Sequence, residues 1–246
     1  MKFHAHAKLT LSLHVTGVRA DGYHELDALM VTLSEPNDAI SIQPAAQTSL
    51  VVTGEHAAGV PADASNLLWR AADACGASLA IVLVKGIPAG AGLGGGSADA
   101  AALLVAERAD TSLGARLGAD IPFCMHGGPA RVRGIGDIVE PVDLPARFVV
   151  LATPHFGCET TAVYRAWDEL GGPHHDLNDL EPAAHHVEPR LVAFKHAVED
   201  AAGASAILAG SGSSYAVVFD HADAAEGARR RVASSIDGVV WLGTTR

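Results

Sequence analysis

Pro88–Ala101 reads PAGAGLGGGSADAA, and five of its fourteen residues are glycine. An apolar, strand-like segment, Leu79–Val84, precedes it, and an alanine-rich, helix-like one, Ser97–Arg108, follows. A glycine-rich turn that opens onto a helix N-terminus leaves several backbone N–H groups without internal partners. Those groups and the positive end of the helix dipole make a site for phosphate. Glycine suits such a turn because a side chain would hold the backbone away from the phosphates, and because some positions require positive φ. The run lacks the GxxxxGK[ST] signature of the commonest nucleotide loop. Its ordinary alternative is a turn used only for packing.

The rest of the chain narrows what such a loop can serve. With 246 residues, it is long enough for one large domain or two small ones around a substantial core. Hydrophobic residues make up 49% and charged residues 18%, a globular composition. The net charge of −11 argues against a long nucleic-acid polymer as partner, though not against small anions held by local dipoles and a few cations. No apolar run is long enough to cross a membrane, and His4, His6 and Lys8 interrupt the first segment in a way that a secretion signal does not. Cys75, Cys124 and Cys158 are odd in number and widely spaced, as expected of reduced thiols in a cytoplasmic protein. No CxxC or close Cys–His pair suggests zinc, and the doublets His174–His175 and His185–His186 point their rings in different directions, so no metal site is expected.

Phe3–Val15 alternates apolar and polar residues, which predicts a strand with a core face and a polar face carrying His4, His6, Lys8, Thr10, Ser12 and His14. Gly17–Gly22 reads as a turn. Further strands are expected at Leu26–Leu33, Ala39–Gln43 and Leu50–Thr53, and a helix at Asn66–Cys75 with Ser65 as its cap. Leu113–Phe123 reads as a short helix giving way to a loop, and Ala130–Arg133 and Phe148–Ala152 as strands, with Asp143–Arg147 as a boundary between domains. The second half predicts helices at Thr161–Leu170, Pro189–Ala201 and Ala222–Ser234, and strands at Ala206–Leu208, Tyr215–Phe219 and Val239–Leu242. Elements in mixed order, without steady β–α–β alternation, indicate an α+β protein.

Four more segments carry candidate chemistry, each with an ordinary alternative. Lys8 is either a surface lysine lying along its strand or a functional cation. Asp120, in GADIP, is a turn or cap residue or a catalytic carboxylate. In DGYHE (Asp21–Glu25), Tyr23 and His24 either close a hairpin or hold a flat ligand. GSGSS, within Ile207–Phe219, is either a hairpin turn or a second set of donors for an anion. The arginine run Arg229–Arg231 reads as a solvated helix face.

Taken together, these segments resemble the GHMP kinases, the superfamily of galactokinase, homoserine kinase and mevalonate kinase. GLGGGSADAA is similar to the superfamily's phosphate-binding signature. AKLTLSLHVTGVRADGYHELDAL, LGADIPF, PHFGCETTAVYRAW, NDLE and AGSGSSYAVVF resemble in order the branch that acts on a cytidine diphosphate-linked methylerythritol in non-mevalonate isoprenoid biosynthesis. The resemblance runs from about Ala5 to Phe219, and DGYHE separates this branch from the other GHMP kinases.

It implies an α+β, two-domain GHMP kinase fold. Residues 1–146 would form an ATP-binding domain like domain 2 of ribosomal protein S5, and residues 147–246 a ferredoxin-like, substrate-binding domain. The implied reaction is ATP-dependent phosphorylation of the substrate's 2-hydroxyl, with Mg²⁺ accompanying ATP and Ser97 as a candidate ligand. Another small-molecule GHMP kinase and a non-catalytic nucleotide-binding relative are the competing readings. Lys8 and Asp120 match the family's catalytic positions. Pro88, Gly90, Gly92, Leu93, Gly94, Gly95, Gly96 and Ser97 match its nucleotide loop, and Asn66 a segment near the adenine. Tyr23, His24 and Tyr164 match its cytosine-binding residues, and Thr10 stands where the family has asparagine beside the substrate. A monomer or homodimer acting on a small molecule is expected. Two features depart from the family: AHAK replaces APAK before Thr10, and only eighteen residues separate Ala101 from Asp120 where the family has about a dozen more.

Overall fold

A computed structural model describes residues 1–246. The N-terminal alternation becomes one long hairpin in which β1 (Lys2–Val18) pairs antiparallel with β2 (His24–Pro44). The two strands expected between Leu26 and Gln43 are one. His6 pairs with Asn37 and Lys8 with Thr32, so Leu33–Pro36 bulge out opposite Ala7 and the strand resumes beyond them. The two faces of β1 also differ from expectation. Lys8 and Thr10, on its polar side, are both buried: Gly94 of the glycine run lies over Lys8, and Gly210 lies beside both.

Around this hairpin sit β3 (Ser49–Thr53), α1 (Leu67–Ala74), β4 (Leu79–Val84), α2 (Gly95–Ala106), α3 (Thr111–Leu117), α4 (Ile121–His126), β5 (Ala130–Gly134) and β6 (Ile138–Pro141). The sheet runs β3-β4-β2-β5-β6, with β1 also on β2; β3 and β4 are parallel and the other pairs antiparallel. The cap of α1 is Asn66, not Ser65: the Asn66 side chain accepts from Leu68 N at 2.9 Å, while Ser65 donates to Asp63. The loop expected around Asp120 is instead the entry to α4.

Residues 142–147 carry the chain to β7 (Phe148–Pro154), followed by α5 (Thr160–Glu169), α6 (Glu181–Val187), α7 (Arg190–Ala202), β8 (Ile207–Leu208), β9 (Tyr215–Phe219), α8 (Ala222–Ser235) and β10 (Gly238–Thr244). The four-stranded antiparallel sheet has the order β10-β7-β9-β8. With helices between β7 and β8 and α8 between β9 and β10, this is the split β–α–β arrangement of a ferredoxin-like fold. Arg231 is not simply solvated: it donates to the carbonyls of Ala201 and Ala202 and ties α8 to α7, while Arg229 and Arg230 pair with Glu226.

Side chains from both sheets share two of the three hydrophobic cores. One joins Leu13, Met30 and Val132 to Val150, Tyr215 and Val217. Another joins Leu9, Val31 and Leu33 to Val149, Leu151 and Ala216 through Ile87, just before the glycine run, and Leu93, within it. Each fully buried aliphatic chain contributes about 1.5–3 kcal/mol, so the loop is pinned to both sheets through Ile87 and Leu93.

Candidate active site

The glycine run lines a cleft of about 940 Å³. Its backbone is held from behind: the carbonyls of Gly90, Ala91 and Leu93 accept from Cys158 N at 3.2 Å, Ser214 N at 3.2 Å and Lys8 N at 3.0 Å. The run turns through left-handed backbone at Gly92 (φ +76°) and Gly94 (φ +66°), and α2 begins at the next residue. Gly94 caps α2 without a side chain, so no side-chain oxygen takes up the first amides of the helix. Those amides and the helix dipole are what a phosphate needs.

Lys8 and Asp120 meet in this cleft although 112 positions separate them. Lys8 Nζ lies 3.6 Å from Asp120 Oδ2, with the lysine buried and the carboxylate one-third exposed. Asp120 occupies the cap position of α4 yet makes no capping bond. Its carboxylate is therefore turned to Lys8 and the cleft. The eighteen-residue segment after Ala101 holds the last turns of α2 and all of α3, and it still delivers Asp120 to Lys8. Thr10 does not reach the cleft as the resemblance implied. It is fully buried, and its hydroxyl accepts from Lys8 Nζ at 3.3 Å. His6 also stands away from the cleft, with Nδ1 3.2 Å from Ser34 O.

At the other end of the cleft, His24 Nε2 lies 2.9 Å from Asp168 Oδ1. The His24 ring packs 4.8 Å from Tyr164 and edge-on to Trp167 at 5.6 Å. Burial pushes the Tyr164 phenol well up, and the Asp120 charge adds to it. Tyr23 is 58% exposed at the hairpin tip, leaving its ring open to a ligand. Asn66 lines the cleft, but both ends of its amide serve the fold, through Leu68 N and Pro61 O.

Beneath the loop is a buried cluster that the motifs did not flag. Lys85 Nζ pairs with Asp38 and, at 2.9 Å, with Asp99. Asp38 also accepts from Gly86 N and Ile87 N at 2.6 and 2.8 Å, so it sets the backbone that leads into the loop. One Asp99 oxygen faces Lys85 and the other has no partner. The available signal was a lysine ending an apolar strand immediately before the loop. Burial pushes the Asp99 carboxyl up to about 8; Lys85 opposes the rise and Asp38 adds to it. A carboxyl whose folded pKa lies above its unfolded value takes up protons on folding. Stability contributed by protonated Asp99 therefore declines as pH rises from about 4 towards 8. Asp99→Asn is expected to flatten that decline, as read from unfolding midpoints across this range.

No three or more His, Cys, Asp or Glu side chains gather as a metal site. Of the histidine doublets, His174 and His175 lie against Asp179 and Glu181 respectively, and His185 donates or accepts at the Tyr215 hydroxyl, 2.7 Å away. The three cysteines are free.

Residues 64–128 match the family model described as the GHMP kinases N terminal domain. The curated 4-diphosphocytidyl-2-C-methyl-D-erythritol kinase of Paracoccus denitrificans (strain Pd 1222) is 39% identical over 95% of this chain and 92% of its own length. That of Jannaschia sp. (strain CCS1) is 48% identical over 69% of this chain, and the match spans 64% of the relative. A crystal structure of 4-(cytidine 5'-diphospho)-2C-methyl-D-erythritol kinase superposes with a TM-score of 0.80 at 31% identity, covering 100% of this chain and 99% of that one. The homoserine kinase of Cytophaga hutchinsonii shares the fold, with a TM-score of 0.64 at 18% identity over 98% and 94% of the two chains. Fold and loop thus mark a GHMP kinase. Within that class, the chain belongs to the 4-diphosphocytidyl-2-C-methyl-D-erythritol kinase family.

Proposed function

We propose that this protein transfers the γ-phosphoryl group of ATP to the 2-hydroxyl of 4-diphosphocytidyl-2-C-methyl-D-erythritol. The observation that carries the reading is the Lys8–Asp120 pair, 3.6 Å apart between the glycine loop and the Tyr23–His24 end of one cleft. The amides at Gly94–Ser97 hold the nucleotide phosphates. Asp120 accepts the hydroxyl proton as the new O–P bond forms and the bond to ADP breaks. Lys8, kept in place by Thr10, offsets charge on the transferring group. Mg²⁺ would accompany the ATP phosphates and offset their charge, with Ser97, in the first turn of α2, as its candidate protein ligand; Asp99 faces Lys85. Residues 1–146 carry the loop and the reacting pair, and residues 147–246 close the substrate side with Tyr164.

The test is ADP release by the purified protein with ATP, Mg²⁺ and the cytidine substrate, alongside homoserine and mevalonate. Turnover confined to the cytidine substrate is expected. Turnover of another alcohol would reassign the substrate, and ATP binding without turnover of any would make this a non-catalytic relative.

The exposed Tyr23 ring yields a separate expectation. If it stacks on the substrate's cytosine, Tyr23→Ala weakens binding of that substrate by about 1–3 kcal/mol, the size of base–aromatic stacking. Affinity for ATP is unchanged. Equal losses for both ligands would instead indicate damage to the hairpin.

A further inference from the structure

Four basic side chains line the cleft: Lys8, His24, Lys85 and Arg165. Three of them face carboxylates. Lys8 lies against Asp120, His24 against Asp168, and Lys85 against Asp38 and Asp99. Arg165 alone has neither an ion pair nor a hydrogen bond, and it is exposed. Its position on α5 is specific. Thr161, Tyr164, Arg165 and Asp168 are spaced by three and four residues, so they form one stripe on the helix, and all four line the cleft. Tyr164 and Asp168 in that stripe hold His24 from two sides. The stripe thus sets Arg165 beside the aromatic end of the same cleft that holds Lys8 and Asp120.

We infer that Arg165 binds the diphosphate that joins the two ends of the substrate. The inference rests on the cytidine diphosphate-linked substrate proposed above. A ligand with its base at Tyr23 and His24 and its hydroxyl at Asp120 must lay its diphosphate along this stripe. A guanidinium can offer paired N–H groups to phosphate oxygens. On a chain with a net charge of −11, an unpaired cation at this point also offsets repulsion of an anionic substrate. Arg165 thereby selects substrates by their phosphates, a contact separate from recognition of the base.

Binding of cytidine monophosphate and cytidine diphosphate to the intact protein tests this without catalysis. Wild-type protein is expected to bind the diphosphate more tightly by about 10- to 100-fold, the range for charge-assisted hydrogen bonds. Arg165→Ala removes that preference and leaves monophosphate binding as it was; Arg165→Lys restores part of it. In turnover, Arg165→Ala raises KM for the cytidine substrate and leaves KM for ATP unchanged. An Arg165→Ala protein that folds as wild type and keeps the full preference for the diphosphate overturns the assignment alone. Wild-type protein that binds neither cytidine nucleotide overturns the functional reading as well.

Discussion

Asp120→Asn lowers turnover by about 10²–10⁴-fold, the usual contribution of a general base, while ATP binding stays within about twofold of wild type, since the loop is untouched. The asparagine keeps the size and planarity of the side chain and removes its capacity to take a proton. Asp120 makes no capping bond in α4, so the substitution costs the fold little. Lys8→Ala is similarly severe. It removes the cation 3.6 Å from Asp120, and it leaves the Thr10 hydroxyl without its donor in a fully buried position. The double variant loses much less than the product of the two single losses, because residues that act as one unit are not independent. Single-turnover measurements with saturating ATP check this. A strictly multiplicative double variant, or an Asp120→Asn protein with near-normal turnover, would remove the pair from the chemistry.

The strand alternation, the glycine loop and most strands and helices of the second half were legible in the sequence because they depend on local spacing. Phe3–Val15 alternates cleanly, and Tyr215–Phe219 forms a strand with the bounds expected of it. What local spacing could not reveal was which polar faces become covered. Lys8 and Thr10 sit on the polar side of β1, where a surface lysine is the ordinary alternative. Lys8 is buried because Leu93 and Gly94, more than eighty positions away, fold over it, and Thr10 because the chain returns beside it at Gly210. The same holds for Lys85, just past β4, Asp38 on β2 and Asp99 on α2, three ionisable groups that only the tertiary fold brings together. The four residues of β6 and the seven of α6 carry too few periods to register as elements. Resemblance names Thr10 but not its contact: its hydroxyl accepts from Lys8 Nζ, which only the fold brings into view.

Gly92→Ala is expected to destabilise the protein by about 2–5 kcal/mol, combining the cost of left-handed backbone with that of overpacking. That is a large part of the 5–15 kcal/mol typical of a folded domain. Gly92 has φ +76°, and a Cβ there would overlap the Ala209 carbonyl oxygen and come within 2.8 Å of the Gly212 carbonyl oxygen. Both neighbours are backbone and cannot rotate away. They belong to the turn whose Ser214 N–H bonds Ala91, so a shift there loosens the loop's hold on the second sheet. Gly96→Ala is the control. Gly96 has no positive φ, and its Cβ would find only Leu67 Cδ1 at 3.7 Å, so stability is retained. It faces the cleft, however, and a methyl group there impedes the approach of phosphate, so ATP affinity falls. Unfolding midpoints and ATP titrations of the two variants thus separate the loop's two uses of glycine. Fold stability is lost at Gly92, and ligand access is lost at Gly96. If Gly92→Ala melts like wild type, the close packing of the loop on the Ala209–Ser214 turn is wrong. If Gly96→Ala binds ATP unchanged, the phosphates do not lie over the start of α2.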